Sequence, residues 1–256
     1  MNRTLSYTKR NLLEMSRDVL SYIFCVAFPL VMLVIMTLVN QGIPKEAGHT
    51  VFNIDNLAGG VIVFGQTFVM LFTALQVATD RSTSFLVRLY ASPMKSRNFT
   101  MGYFLPMFVI AMVQSLLTGI TAFIISLIIG AELNILGLLL VVVLSLPSAC
   151  FFIALGMIFG TLFNEKSAPG VSSVIISLGS FLGGIWFDAE NAGGVMYDIC
   201  RCTPLLYCTR LVRAVIHLDF TWDSFFFPLI IVAGSAVLLT WLAIYLFKRR
   251  MRADLA

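Results

Sequence analysis

The chain has 256 residues, of which 59% are hydrophobic and only 12% are charged, with a formal net charge of +4. A soluble domain averages about 25% charged residues, so this sequence could not cover a water-facing surface with polar groups. The composition excludes a soluble protein and predicts an integral membrane protein. Its basic residues lie beside apolar runs instead of forming one stripe, which argues against nucleic-acid binding.

Residues 1–18 predict an amphipathic helix that lies along the inner membrane surface. Charged residues share one helical face, whereas Leu5, Leu12 and Met15 share another. A frayed basic tail is the alternative interpretation of the same residues.

Six apolar runs follow, and about 20 apolar residues suffice to cross the hydrocarbon core. We therefore predict one all-α transmembrane domain over residues 1–256, with six spans and a kink in the fourth at Pro147. The predicted spans are about Val19–Val39, Leu57–Thr79, Phe104–Ile129, Ile135–Phe163, Pro169–Phe187 and Phe225–Phe247.

Lysine and arginine counts predict the orientation of these spans. With both termini inside, the inner segments carry 13 of the 17 basic residues and the outer segments carry 4. Because cytoplasmic segments are enriched in lysine and arginine, both termini are expected in the cytoplasm.

The segment 80–97 joins the second and third spans and is strongly charged. As a helix from about Ser84 to Tyr90, it places Arg81, Ser84 and Arg88 on one side and apolar residues on the other. Such a helix could lie on the membrane or in a groove of a partner protein. A solvated loop that obeys the positive-inside rule is the alternative.

The segment 188–223 contains two half-length apolar stretches, about Asn191–Cys200 and Pro204–Leu218. Each is too short to cross a bilayer and too apolar for a free loop. Its three cysteines do not match the ligand spacing of a zinc site, and both a disulfide and free thiols fit the sequence.

No catalytic, metal-binding or nucleotide-binding motif is found in the sequence, so we expect no enzyme activity and no cofactor in this chain. No ionisable residue lies at the centre of a predicted span, which argues against a proton- or ion-coupled carrier. Energy from a separate ATPase is the expected alternative.

The spans do carry uncharged polar and small residues. The polar set joins helices within the protomer or lines a substrate path: Gln66, Thr73, Gln76, Gln114 and Thr118. The small set predicts close helix packing, within the chain or across a dimer: Ser173, Ser177, Ser180 and Gly184. The steps Gly179-x-x-x-Gly183 and Gly156-x-x-x-Gly160 have the same character.

Two segments resemble the ABC-2 type transporter permeases, the membrane subunits of ABC exporters. The first has Asp80-Arg81, Arg88-Leu89 and Ala91-Ser92-Pro93; the second has Thr203-Pro204-Leu205-Leu206-Tyr207 and Arg210-x-x-Arg213-Ala214. Ser84 and Thr203 depart from the family's usual glycine-threonine pair and asparagine.

The resemblance implies a coupling helix that docks on an ATP-binding subunit through Arg81, Ser84, Phe85, Arg88 and Leu89. It also implies two short outer-leaflet helices that carry Pro204, Tyr207, Arg210 and Arg213. Two ATPase copies, which bind ATP and Mg, and a second permease, identical or paralogous, are the implied partners.

The expected function is therefore export of a hydrophobic or amphipathic molecule through a bacterial plasma membrane. A drug, as in multidrug or antimicrobial resistance, a peptide and a lipid-linked molecule all fit such a path. An ATP-independent channel or carrier is the alternative from another class. A membrane enzyme or sensor would need a convergent acid, base or metal set that the sequence does not contain.

Overall fold

The computed structural model describes residues 3–42, 51–83 and 96–254, and within these ranges every regular element is helical, which confirms the all-α class. The first helices are α1 (Arg3–Arg17), α2 (Val19–Tyr22), α3 (Phe28–Gly42), α4 (Ile54–Ser82), α5 (Ser96–Ile129), α6 (Ile135–Leu144) and α7 (Leu146–Leu162). The remaining helices are α8 (Ala168–Leu182), α9 (Ala189–Ala192), α10 (Gly194–Arg201), α11 (Pro204–His217) and α12 (Phe227–Asp254). Two π-helical segments, Ile23–Ala27 and Trp222–Phe226, precede α3 and α12.

Among the described residues, five helical stretches are long and apolar enough to cross a membrane. They are Val19–Gly42, Ile54–Ser82, Thr100–Ile129, Ile135–Leu162 and Trp222–Arg250. The chain is thus a multi-pass membrane protein. The predicted fifth of six spans corresponds to α8, which has only 15 residues. It ends before the predicted Phe187 because the chain turns at Gly184, whose φ of 61° is a conformation that glycine adopts without strain.

Prolines explain the irregular turns in three of these stretches. A proline ring removes one backbone donor and collides with the carbonyl four residues earlier. The π-helical segments, which widen the turn, end two residues before Pro29 and two residues before Pro228. In the fourth stretch the helix is interrupted at Ser145, two residues before Pro147, where the sequence predicts a kink.

Helix α4 is the centre of the bundle, and every residue from Leu57 to Met70 is buried. It packs against α3, α5, α7, α8 and α11. Two glycines of α7 permit the closest of these approaches: a β-carbon on Gly160 would lie 2.5 Å from the Ala74 carbonyl oxygen, and one on Gly156 would lie 2.7 Å from the Thr73 β-carbon. The Gly156-x-x-x-Gly160 step therefore packs within the chain.

The bundle has two ends, which we call the terminal end and the distal end. The terminal end holds α1 and the last turns of α12, where the rings of Tyr103 and Phe247 lie 6.3 Å apart. The distal end holds α9 to α11, and there Arg213 of α11 contacts the start of α4. Helix α4 thus begins at the distal end and ends at the terminal end.

Helix α1 packs on α5 at the terminal end. Among the side chains of α1 that the structure describes, the buried ones are Tyr7, Asn11 and Met15, about one helical turn apart. Of the predicted apolar face, Met15 is buried against the bundle, whereas Leu5 and Leu12 are exposed. The placement of α1 along a membrane surface stays a prediction.

Candidate functional site

The terminal end of α4 carries a buried carboxylate, Asp80, which is only 4% exposed. Tyr103 of α5 donates its hydroxyl hydrogen to Asp80 at 2.7 Å. From α1, Arg10 Nη1 donates to Asp80 Oδ2 at 3.1 Å, and the Tyr7 hydroxyl approaches the same oxygen at 3.4 Å. A buried charge is tolerated when it is paired and hydrogen-bonded, and these three donors from two other helices supply both conditions.

The groups around this carboxylate also fix helix α1. Burial, followed by the negative charge of Asp80, raises the pKa of Tyr7, which keeps its phenol protonated and able to donate. The buried Asn11 donates its side-chain amide to the Gly102 carbonyl oxygen of α5 at 3.0 Å. On its exposed side, Arg10 also pairs with Glu14, at 2.9 Å. Polar contacts and packing together hold α1 against α4 and α5.

The next residue, Arg81, contacts a different helix. Its guanidinium donates to the carbonyl oxygens of Gly160 at 3.0 Å and of Thr161 at 2.5 Å, in the last turn of α7. These carbonyls are among the last four of the helix, which have no donor within it, and a cation there also complements the helix dipole. The Ser82 hydroxyl adds a bond to Glu165, in the turn after α7, at 2.9 Å.

Of the coupling residues predicted from the sequence, one lies within the described residues and four lie outside them. Arg81 is described, and its guanidinium faces α7 as given above. Ser84, Phe85, Arg88 and Leu89 lie outside the described residues, so their predicted contact with an ATPase stays a prediction.

The polar residues of the predicted substrate path are mostly enclosed by the bundle. Gln66 accepts from the Ser148 hydroxyl of α7 at 2.6 Å, and the Gln114 amide donates to Thr118 at 3.2 Å. Thr73 is fully buried and bonds to its own helix. These four predicted residues are at most 1% exposed. Gln66 joins α4 to α7, whereas the bonds of Gln114 and Thr73 stay within their own helices.

Gln76, the fifth residue of this set, borders a small cavity of about 160 Å³ between α4 and the chain around the junction of α1 and α2. Glu14 and Asp18 lie on the opposite wall of this cavity. Burial raises the pKa of Glu14. The polar set is therefore divided between the bundle interior and the terminal end.

A larger groove of about 420 Å³ opens on the side of the bundle, and we call it the lateral groove. Its wall is apolar except for two serines, and its lining residues are Leu20, Phe24, Phe68, Leu71, Phe72, Leu75, Pro169, Ser173, Ile176 and Ser177. The hydroxyls of Ser173 and Ser177 donate to carbonyls of their own helix and lie exposed. Such a surface suits an apolar or amphipathic molecule.

Sequence reasoning missed the aromatic wall of this groove. Phe68 and Phe72 of the groove continue, with Phe64 outside it, a spacing of four residues on α4, so the signal was present in the sequence. The ring of Phe68 lies 6.0 Å from that of Phe24 and 5.2 Å from that of Phe64.

The other small residues of α8 pack within the chain. Ser180 is 6% exposed, and Gly179 lies against Leu205 of α11 and Thr67 of α4. Gly184 lies in the turn after α8, next to Leu206. The predicted small-residue face is therefore divided: its distal half meets α4 and α11, and its terminal half faces the lateral groove.

At the distal end, α11 is tied to its neighbours by the predicted residues. Arg213 Nε donates to the Asn56 carbonyl oxygen at 3.0 Å, and Arg210 donates to the Tyr197 hydroxyl at 2.9 Å. The Tyr207 ring meets Phe227 edge to face at 5.7 Å, and Pro204 is the first residue of the helix.

A cavity of about 480 Å³ lies beside these residues. Its lining includes Arg210, Arg213, His217 and the aspartates Asp188, Asp219 and Asp223.

The sequence left open whether the cysteines form a disulfide. All five cysteines lie in the described ranges, and all five are free thiols.

Comparison with known proteins identifies the family of this chain. The family model of the ABC-2 type transporter matches residues 2–217, which include α1 to α11 and the whole of α4. A search of curated proteins finds no match. The matched range covers most of the chain, so the chain belongs to the ABC-2 type transporter family, as a membrane permease subunit.

Proposed function

We propose that this chain is the permease subunit of an ATP-driven exporter that moves a hydrophobic or amphipathic molecule outward through a bacterial plasma membrane. The lateral groove is the observation that carries the proposal. It presents aromatic and aliphatic side chains with two serine hydroxyls on the side of the bundle, at the level of the spans. A drug, a peptide or a lipid-linked molecule could reach such a groove from the lipid.

The energy source in this proposal is a separate ABC ATP-binding subunit, in two copies, that carries ATP and Mg. The chain has no nucleotide-binding motif of its own, and family membership supports such a partner. In this proposal its docking surface is the coupling helix predicted from about Ser84 to Tyr90, and Arg81 at the end of α4 precedes that helix. Cytoplasmic termini, which the bias of 13 basic residues against 4 supports, place this segment on the side where ATP is found.

A second permease, identical or paralogous, completes the path. The lateral groove is open on one side, and the exposed serines of α8 allow another helix to approach closely. In this arrangement two grooves face each other across a dimer. Nucleotide binding then shifts the spans and releases the substrate outward or into the outer leaflet.

Affinity purification of the chain from native membranes tests the proposal. An ABC ATP-binding protein is expected to co-purify, and vesicles containing the complex are expected to accumulate a fluorescent amphiphile only with Mg-ATP. Arg88→Glu should uncouple ATP hydrolysis from transport and leave the spans folded. Transport without nucleotide, by a chain that purifies without an ATPase, would support the channel or carrier alternative.

A further inference from the structure

Asp80 and Arg81 are adjacent residues in the last turn of α4, and their side chains hold different helices. Consecutive residues of a helix are separated by about 100°, so they do not share a face. Asp80 contacts α1 and α5, whereas Arg81 contacts α7.

The contacts of Asp80 are specific and enclosed. Tyr103 is fully buried, and its hydroxyl lies 2.7 Å from the carboxylate. The Arg10 guanidinium makes bonds of 3.1 to 3.3 Å to both carboxylate oxygens. The pair joins segments 70 positions apart in sequence, so it determines where α1 lies relative to α4.

Three hydrogen bonds of Arg81 reach backbone atoms, so they do not depend on side-chain identity in α7. The bonds reach the Gly160, Thr161 and Phe163 carbonyl oxygens. The planar guanidinium can donate to several acceptors at once in fixed directions. The donors of a lysine ammonium rotate, so their directions are less fixed. Close packing at Gly156 and Gly160 already joins α7 to α4. Arg81 adds hydrogen bonds between the same two helices at the C-terminal end of α7.

We propose that Asp80 and Arg81 form a two-sided anchor, as positioning residues that make α1, α5 and α7 follow α4 when the ATPase moves α4. The inference rests on the proposed function, since it assigns how the motion of the ATPase spreads in the permease.

The test uses the complex of this chain with its ATPase, reconstituted in vesicles, and measures the amount of amphiphile transported per ATP hydrolysed. Asp80→Asn keeps the shape and removes the charge, and Arg10→Gln removes the partner. Each is expected to lower the transport per ATP by at least about fivefold, the low end of coupling between linked sites. The losses should be less than additive in the double variant, because both substitutions remove the contact between Arg10 and Asp80.

Matched variants separate the anchor from general effects of charge and folding. Lys9→Gln removes a neighbouring, exposed charge of α1 and should leave the transport per ATP unchanged. Arg10→Lys should lose less transport per ATP than Arg10→Gln, because lysine keeps the positive charge but lacks the planar set of donors of the guanidinium. Hydrogen exchange should rise in α1 for Asp80→Asn and at the end of α7 for Arg81→Gln.

Wild-type transport per ATP in Asp80→Asn and Arg10→Gln would overturn the anchor. If these variants also lost thermal stability, that result would assign the two residues to folding alone. An unmodified complex without ATP-dependent transport would instead refute the proposed function, and that result is seen before any variant is made.

Discussion

Gly160 of α7 and Ala74 of α4 mark a place where two spans touch through their backbones. A β-carbon at position 160 would lie 2.5 Å from the Ala74 carbonyl oxygen and 2.7 Å from the Val77 β-carbon. Even one methyl group at this position forces the helices apart. The contact lies on α4 between Gln66 and the anchor residues Asp80 and Arg81.

Gly160→Ala is therefore expected to destabilise the bundle by about 1–3 kcal/mol, as overpacking of a well-packed core does. Gly234→Ala is the matched control, because nothing lies within 4 Å of a β-carbon there and alanine favours a helix over glycine by about 0.5–1 kcal/mol. Thermal unfolding in detergent, followed by circular dichroism, measures both. Equal stability of the two variants would contradict the close approach of α7 to α4.

Arg213→Ala is expected to loosen the distal end. The substitution removes the bond from Nε to the Asn56 carbonyl oxygen and the packing of the side chain against Gly59. Hydrogen bonds of charged groups contribute about 1.5–3 kcal/mol, so hydrogen exchange in α11 should rise accordingly. Arg201→Ala, at an exposed position of α10, is the control. Unchanged exchange in α11 would show that Arg213 does not hold this helix.

Substitutions of Ser148 and Ser177 distinguish the bundle interior from the lateral groove. Ser148→Ala deprives Gln66 of a donor and should cost about 1–3 kcal/mol of stability, with the order of preference among transported amphiphiles unchanged. Ser177→Leu lies at an exposed position of the groove and should change stability by at most about 0.5 kcal/mol while altering transport. Transport assays with several amphiphiles and thermal unfolding check both. The reverse pattern would return Gln66 to the substrate path.

The turn between α11 and α12 should be sensitive to acid. Hydrogen bonds from the side chains of Ser224 and Thr221 lower the pKa of Asp219 below its ordinary value. A carboxylate with a lowered pKa stabilises the fold above its unfolded pKa of about 3.9 and loses this effect as the pH falls through its folded value.

Asp219→Asn should therefore lower the midpoint of thermal unfolding at pH 7, and the difference from the unmodified protein should shrink below about pH 4. Midpoints measured across this range check the sign. A difference that grows on acidification would contradict the assignment.

The fold class could be predicted from composition and apolar runs, because the bilayer requires long apolar helices. The sequence placed Asp80 in a loop, but α4 continues to Ser82. Local patterns could not identify Arg10 and Tyr103 as its partners, since these contacts join residues far apart in the chain. The position of Pro147 predicted an irregularity in the fourth span. The π-helical turns that end two residues before Pro29 and Pro228 could not be predicted in the same way, because their form depends on packing. Which half of α8 meets α11 was likewise undetermined, because helical periodicity identifies a face and not its neighbour.

Cys202 gives the native protein its own marker of sidedness. It is exposed at the distal end, whereas Cys25, Cys200 and Cys208 are buried and Cys150 is partly buried among apolar side chains. Burial raises the pKa of the Cys208 thiol, which lowers its reactivity further. A maleimide that cannot enter cells should thus attach at this single position when the α10–α11 loop faces the medium, and intact cells should stay unlabelled when it faces the cytosol.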